Sequence, residues 1–240
     1  MIILQKGKAM RQKTKLLNLF ICLGIICCSG VIQFSYIWYK ESIIVLCIFS
    51  IILFIMKRKK LSNNDIKKTL ILFAILTINL LVYSDNIDGH ISLFLKILSV
   101  CILAKNIEID EFRENYINIL YVICLVSLVC YFLFLLYPTI IIAKVPIVNY
   151  WQHSTRYVLI YNFPGNGWEY GGLRNFGPFH EGGMFAIFID IAILFIVNEN
   201  NFNKRSIKRI ITFIICLITT FSTTRNAWTK HNYIIFLYKE

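Results

Sequence analysis

Apolar residues in this chain come in long unbroken blocks rather than in the alternating or one-sided patterns of a soluble protein. Runs at about 16–38, 42–56, 69–84, 87–104, 116–143, 183–197 and 210–222 are separated by short polar stretches. A helical span needs about 20 predominantly apolar residues, so these blocks predict about seven transmembrane helices. The fourth block carries Lys96 near its centre, which leaves six spans as the alternative if that block lies in the interface. Pro138 predicts an end or a kink in the fifth helix. The expected fold class is an all-α integral membrane protein, with residues 1–224 as one polytopic domain and 225–240 as an atypical tail.

Between the fifth and sixth blocks, from Lys144 to about His180, the composition turns to Tyr, Trp, Asn, Gly and Arg. This is the one long loop the pattern predicts. The connector from Lys105 to Asn115 is acidic, with Glu108, Asp110, Glu111 and Glu114, and reads as a solvated face.

Composition agrees with the pattern. At 58% hydrophobic and 16% charged, with mean hydropathy +0.66, the chain is too apolar for a soluble globular domain. Its formal charge of +12 suggests nucleic acid only until the charges are placed. Seventeen of the 25 Lys and Arg residues lie at the N-terminus and in the alternate connectors that follow it on one side. Basic residues near span ends are retained on the cytoplasmic side. The N-terminus is therefore expected in the cytoplasm and the long loop outside, and nucleic acid is excluded as a partner. The basic cluster Lys6 to Lys15 resembles the start of a secretory signal. The run behind it is too long and lacks a small-residue cleavage site, so it reads as a retained span. The eight cysteines all sit inside apolar runs and read as small core residues, not as a disulfide framework.

Candidate chemistry concentrates in the long loop. Arg156, Arg174, His180 and Glu181 stand among Trp168, Tyr170 and other aromatics. Aromatic faces suit sugar rings, and guanidinium groups hold phosphate oxygens in pairs. The plainer alternative is an aromatic belt resting on lipid headgroups. The densest stretch, RNFGPFHEGGMF from Arg174 to Phe185, runs directly into the sixth helix; Gly177 and Pro178 predict a turn there, and Gly182 and Gly183 a close backbone approach. Asp190 within the sixth block is an intramembrane carboxylate, either functional, for instance as a partner of Lys96, or hydrogen-bonded between helices. His153, Glu169, His180 and Glu181 lack the spacing of a metal motif, so no metal and no cofactor are expected.

A long loop ending in this stretch, an apolar helix, a basic connector, and a helix closing on Thr-Thr-Phe-Ser-Thr-Thr (219–224) together resemble the O-antigen and capsular polysaccharide polymerases and the related O-antigen ligases. The resemblance rests on residues 174–224. It implies a multi-pass protein of the bacterial inner membrane that polymerises undecaprenyl-pyrophosphate-linked oligosaccharide repeat units by glycosyl transfer. It further implies Arg156 and Arg174 as clamps on the pyrophosphate, His180 or Glu181 as the base, and a flippase and a chain-length regulator as partners. Arg156 and Gly167 also fit the Arg-x10-Gly spacing found in such polymerases. The ligase differs only in its acceptor; a polytopic transporter or lipid-linked sugar flippase is the alternative from another class. The family continues beyond this helix, whereas here RNAWTKHNYIIFLYKE follows Thr224. That departure predicts truncation or a frameshift after Thr224, and with it a fragment that is inactive alone.

Overall fold

The computed structural model describes residues 2–31, 38–57, 62–82, 87–137, 139–149, 152–158, 161–164, 174–198 and 203–220. They form seven α-helices and three strands: α1 (Ile2–Gly30), α2 (Tyr39–Lys57), α3 (Asn63–Val82), α4 (Ile87–Asn106), α5 (Ile109–Leu136), β1 (Ala143–Asn149), β2 (Gln152–Val158), β3 (Asn162–Pro164), α6 (Gly182–Asn198) and α7 (Lys204–Thr220). The protein is thus mostly helical, with one helix at each predicted apolar block. Among the described residues α4 and α5 are long and apolar enough to cross a membrane; α6 and the Leu16–Gly30 part of α1 are apolar but shorter.

Three boundaries depart from the hydropathy pattern. Helix α1 begins well before residue 16 and takes in the basic cluster. The acidic connector is almost wholly helical, because only Ile107 and Glu108 separate α4 from α5. Asp110 and Glu111 occupy the first turn of α5, where carboxylates favour the positive end of the helix dipole. The Phe112 N–H donates to the Glu108 carbonyl at 2.9 Å and closes that turn. The fifth helix stops at Leu136, two residues before Pro138, rather than at 143.

The segment expected as a loop starts as an antiparallel sheet of order β1-β2-β3. Its β-branched and aromatic content, Val145, Ile147, Val148, Thr155, Tyr157 and Val158, suits a pleated ladder. The all-α expectation is corrected to that extent.

By its contacts the chain divides into two compact units, Met1–Tyr116 and Ile117–Glu240. In the first, α2 packs on α1 and α4, and α3 packs on α4. Phe20 stacks on Phe49, and Gly24 lets the Leu46 side chain approach closely, so α1 and α2 are antiparallel. Helices α2 and α4 are parallel, joined at three levels: Lys40 pairs with Asp88 at 2.8 Å, Cys47 Sγ meets Ser99 Oγ at 3.0 Å, and Lys57 Nζ donates to the Asn106 carbonyl at 2.6 Å. Ile21, Leu46, Leu53 and Leu103 fill the space between α1, α2 and α4.

In the second unit α5 and α7 run parallel in a steady register. Arg209 bonds Asn118, Tyr121 meets Phe213 edge-on, Cys124 lies against Cys216, and Ser127 reaches Thr219 through Asn175. Small polar residues share the interior with an apolar core, and large apolar side chains are exposed. Asn18, Ser50, Ser99, Ser127 and Asn175 are buried, whereas Leu70, Ile75, Ile78 and Leu81, the last 77% exposed, face outward from α3. Such surface is costly in water and at no disadvantage in lipid.

Candidate functional site

The site is built where the stretch from Arg174 to Glu181 meets α5, α6 and α7. Asn175, fully buried, is its hub. Its Oδ1 accepts from Ser127 Oγ at 2.5 Å and from the Gly177 N–H at 3.0 Å. Its Nδ2 donates to Thr219 Oγ1 at 3.0 Å and toward Cys216 Sγ at 3.8 Å, while its backbone N–H donates to the Thr219 carbonyl at 3.0 Å. One amide therefore ties two helices and its own loop together with all its hydrogen-bonding capacity used, as a buried polar group requires.

The two glycines have definite tasks. Gly177 has φ +55°, and a Cβ there would lie 2.7 Å from the Phe185 ring. The turn predicted at Gly177 and Pro178 thus forms, and it needs glycine both for the backbone and for the space. Gly182 opens α6, where a Cβ would lie 3.1 Å from the Thr220 carbonyl and 3.5 Å from that of Asn175. The predicted close approach is accordingly real at Gly182. Phe179, fully buried, stacks on Phe185 with ring centroids 5.2 Å apart and meets Phe188 at 4.7 Å. These contacts close the loop on itself, with residues 175 and 182 side by side.

Closure decides where the candidate groups go. Arg174 precedes the Asn175 stem by one residue, whereas Glu181 is the last loop residue before the Gly182 stem. Arg174 is half-buried with its Nε shielded from solvent; His180 is half-buried and Glu181 exposed. The Glu181 carbonyl accepts from the Phe185 N–H at 3.1 Å, which makes Glu181 the capping position of α6. The first-turn N–H groups of α6 start beside it and favour an anion. The loop joins α5 at Ser127, nine residues before Leu136, and is therefore set about 13 Å down the helix from that end.

Arg156 is elsewhere, on β2, opposite Val145 on β1 and Pro164 on β3. The sheet is tied to α5 just beyond Ser127. Tyr161, between β2 and β3, is buried against Cys130, Tyr131 and Phe134, and burial pushes its phenol well above the ordinary tyrosine range. The sheet and the loop thus occupy successive turns of one helix. Trp168 and Tyr170 lie outside the described residues. Asp190 is exposed on α6, and Lys96 is half-buried on α4. Among the described residues no three His, Cys, Asp or Glu gather in a way that would hold a metal ion.

Sequence reasoning missed Asn175, Ser127 and Thr219. A serine isolated in the most apolar run and an asparagine inside a Gly- and Phe-rich turn were the available signals. Comparison with known protein families, with curated proteins and with solved structures finds no match.

Proposed function

We propose that this chain is a polytopic bacterial membrane protein of the polysaccharide polymerase type. It joins oligosaccharide repeat units carried on undecaprenyl pyrophosphate at the outer face of the cell membrane. The observation that carries this reading is the closed loop from Asn175 to Gly182, which anchors the segment bearing Arg174, His180 and Glu181 on α5, α6 and α7. Preorganised cationic donors stabilise charge that develops on a leaving group.

In this reading Arg174, with Arg156 from the sheet, holds the pyrophosphate, and Trp168 and Tyr170 stack on sugar. An acceptor hydroxyl attacks the anomeric carbon of the donor. The new C–O bond forms as the bond to the polyprenyl pyrophosphate breaks, and His180 or Glu181 takes the hydroxyl proton. The Nε of Arg174 is shielded from solvent, and a shielded guanidinium exerts a stronger field than one in water.

The membrane part of the proposal draws on the exposed apolar helix faces and on helix direction. Helices α1 and α2 are antiparallel, α2 and α4 parallel, and α3 and α4 antiparallel, the alternation expected of successive spans. The basic residues Lys57, Lys67, Lys68 and Lys105 then fall on one side, which the positive-inside rule makes cytoplasmic. Seven spans with the N-terminus inside are part of the same proposal.

The test is complementation of a host lacking its own polysaccharide polymerase, with glycan length read as a gel ladder. The expected result is a ladder with the parent chain and single repeat units with Arg174→Ala. Single repeat units from the parent, with the protein confirmed in the membrane, would refute polymerase activity of this chain.

A further inference from the structure

Helix α7 carries an unusual distribution of charge. Its first six residues include Lys204, Arg205, Lys208 and Arg209, with no acidic residue in the first turn. Cations at a helix N-terminus oppose the dipole, and like charges four residues apart repel. This arrangement therefore calls for an anion.

The four cations divide between two faces. Arg205 and Arg209 both donate to Asn118 on α5 and are committed to the helix bundle. Lys204 and Lys208 are exposed on the other flank. At 100° per residue Lys204, Lys208, Ile211, Ile215 and Ile218 fall within about 40° of one line along the helix. All five are exposed, and Ile207 and Ile214 widen the apolar part of the stripe. From Lys208 to Ile218 the helix rises about 15 Å, the depth of one leaflet's hydrocarbon.

We infer that this face of α7 is a binding site for one anionic diacyl phospholipid. The phosphate lies against Lys204 and Lys208 at the start of the helix, and the acyl chains run along Ile211, Ile215 and Ile218. Charge complementarity selects an anionic headgroup over a zwitterionic one, and the isoleucine stripe selects a lipid over free phosphate. The capping interaction at the helix start is already made within the chain, since Asn203 Oδ1 accepts from the Ser206 N–H at 2.8 Å and from Ser206 Oγ at 3.1 Å. The lysines thus supply the recognition. The inference rests on the membrane-spanning reading above but not on glycosyl transfer.

The experiment uses the full chain in mild detergent, titrated with phosphatidylglycerol or phosphatidylcholine of equal chain length, with bound lipid counted by native mass spectrometry. The expected result is a clear preference for phosphatidylglycerol that fades at high salt. In Lys204→Gln/Lys208→Gln, affinity for that lipid falls about thirty-fold, the ordinary worth of two lysines at a charged membrane surface. Lys6→Gln/Lys8→Gln, with the same change of net charge, keeps the preference. Ile215→Trp, which fills the stripe and leaves both lysines in place, also weakens binding, so the idea stays open to refutation if the double variant does not fold. An unchanged preference in Lys204→Gln/Lys208→Gln, an equal loss in the Lys6/Lys8 variant, or equally effective competition by inorganic phosphate would overturn the site. Release of the chain from membranes by alkaline carbonate would instead overturn the spanning reading on which it rests.

Discussion

Replacing Asn175 by leucine tests the hub directly. The two side chains are similar in size, so the change removes polarity while leaving little void. It removes acceptors from Ser127 Oγ and the Gly177 N–H, and the donor to Thr219 Oγ1. The serine hydroxyl can turn to a carbonyl of its own helix, and Thr219 keeps its bond to the Cys216 carbonyl at 2.6 Å. The Gly177 N–H has no such recourse, and a stranded buried donor costs about 1–3 kcal/mol. Lost hydrogen bonds between membrane helices average only about 0.6 kcal/mol each, so they add little more than 1 kcal/mol together. The expected destabilisation is about 2–4 kcal/mol, most of it from one N–H.

The assay is reversible SDS unfolding in mixed micelles, carried out as a double-mutant cycle with Ser127→Ala. The serine variant alone should lose about 1 kcal/mol, and adding it to Asn175→Leu should cost almost nothing further, giving a coupling of about 1 kcal/mol. Asn175→Leu within about 0.5 kcal/mol of the parent, or strictly additive effects, would refute the hub. Because the loop carries Arg174, proteolytic cleavage after that arginine should also rise in Asn175→Leu.

Other consequences follow from single contacts. Gly177→Ala must hold a left-handed residue against the Phe185 ring and is expected to lose about 2–4 kcal/mol in the same unfolding assay, whereas Gly183→Ala, inside α6, should be close to neutral. The raised phenol of Tyr161 makes folding pH-dependent in a known direction. The unfolded chain ionises near pH 10 and the folded one higher, so this contribution is fully present below about pH 10 and declines as pH rises beyond it. A melting curve of the parent should therefore fall more steeply between about pH 9.5 and 11.5 than that of Tyr161→Phe; parallel curves would count against the buried tyrosine. Lys57→Met removes the bond to the Asn106 carbonyl and a cation from the end of α4, with an expected loss of about 1 kcal/mol by thermal unfolding.

Much of the helical framework was legible in the sequence because hydropathy is a local property. A block such as 183–197 has nowhere to satisfy its backbone except a helix, and α6 runs from Gly182 to Asn198. Pro138 likewise announced the end of α5 through chemistry confined to one residue. Charged residues at block edges were less informative. The acidic connector reads as loop on polarity alone, yet carboxylates suit a first helical turn, and the helix takes them. The sheet was missed because its alternation is weak, although its strands pair with their sequence neighbours, Asn149 with Gln152 and Val158 with Asn162.

For the site, the sequence by itself determined which groups are available: two arginines, a histidine and a glutamate in one segment, with glycines whose spacing foretold a turn and a close approach. Only the tertiary structure decided which of them meet. Asn175 joins Ser127, 48 residues earlier, to Thr219, 44 residues later, and those bonds anchor the segment carrying Arg174, His180 and Glu181 while Arg156 stays on a separate sheet. The physical reason is that a buried amide must find every one of its partners, and where those partners lie depends on how α5 and α7 pack, which no local pattern of residues encodes.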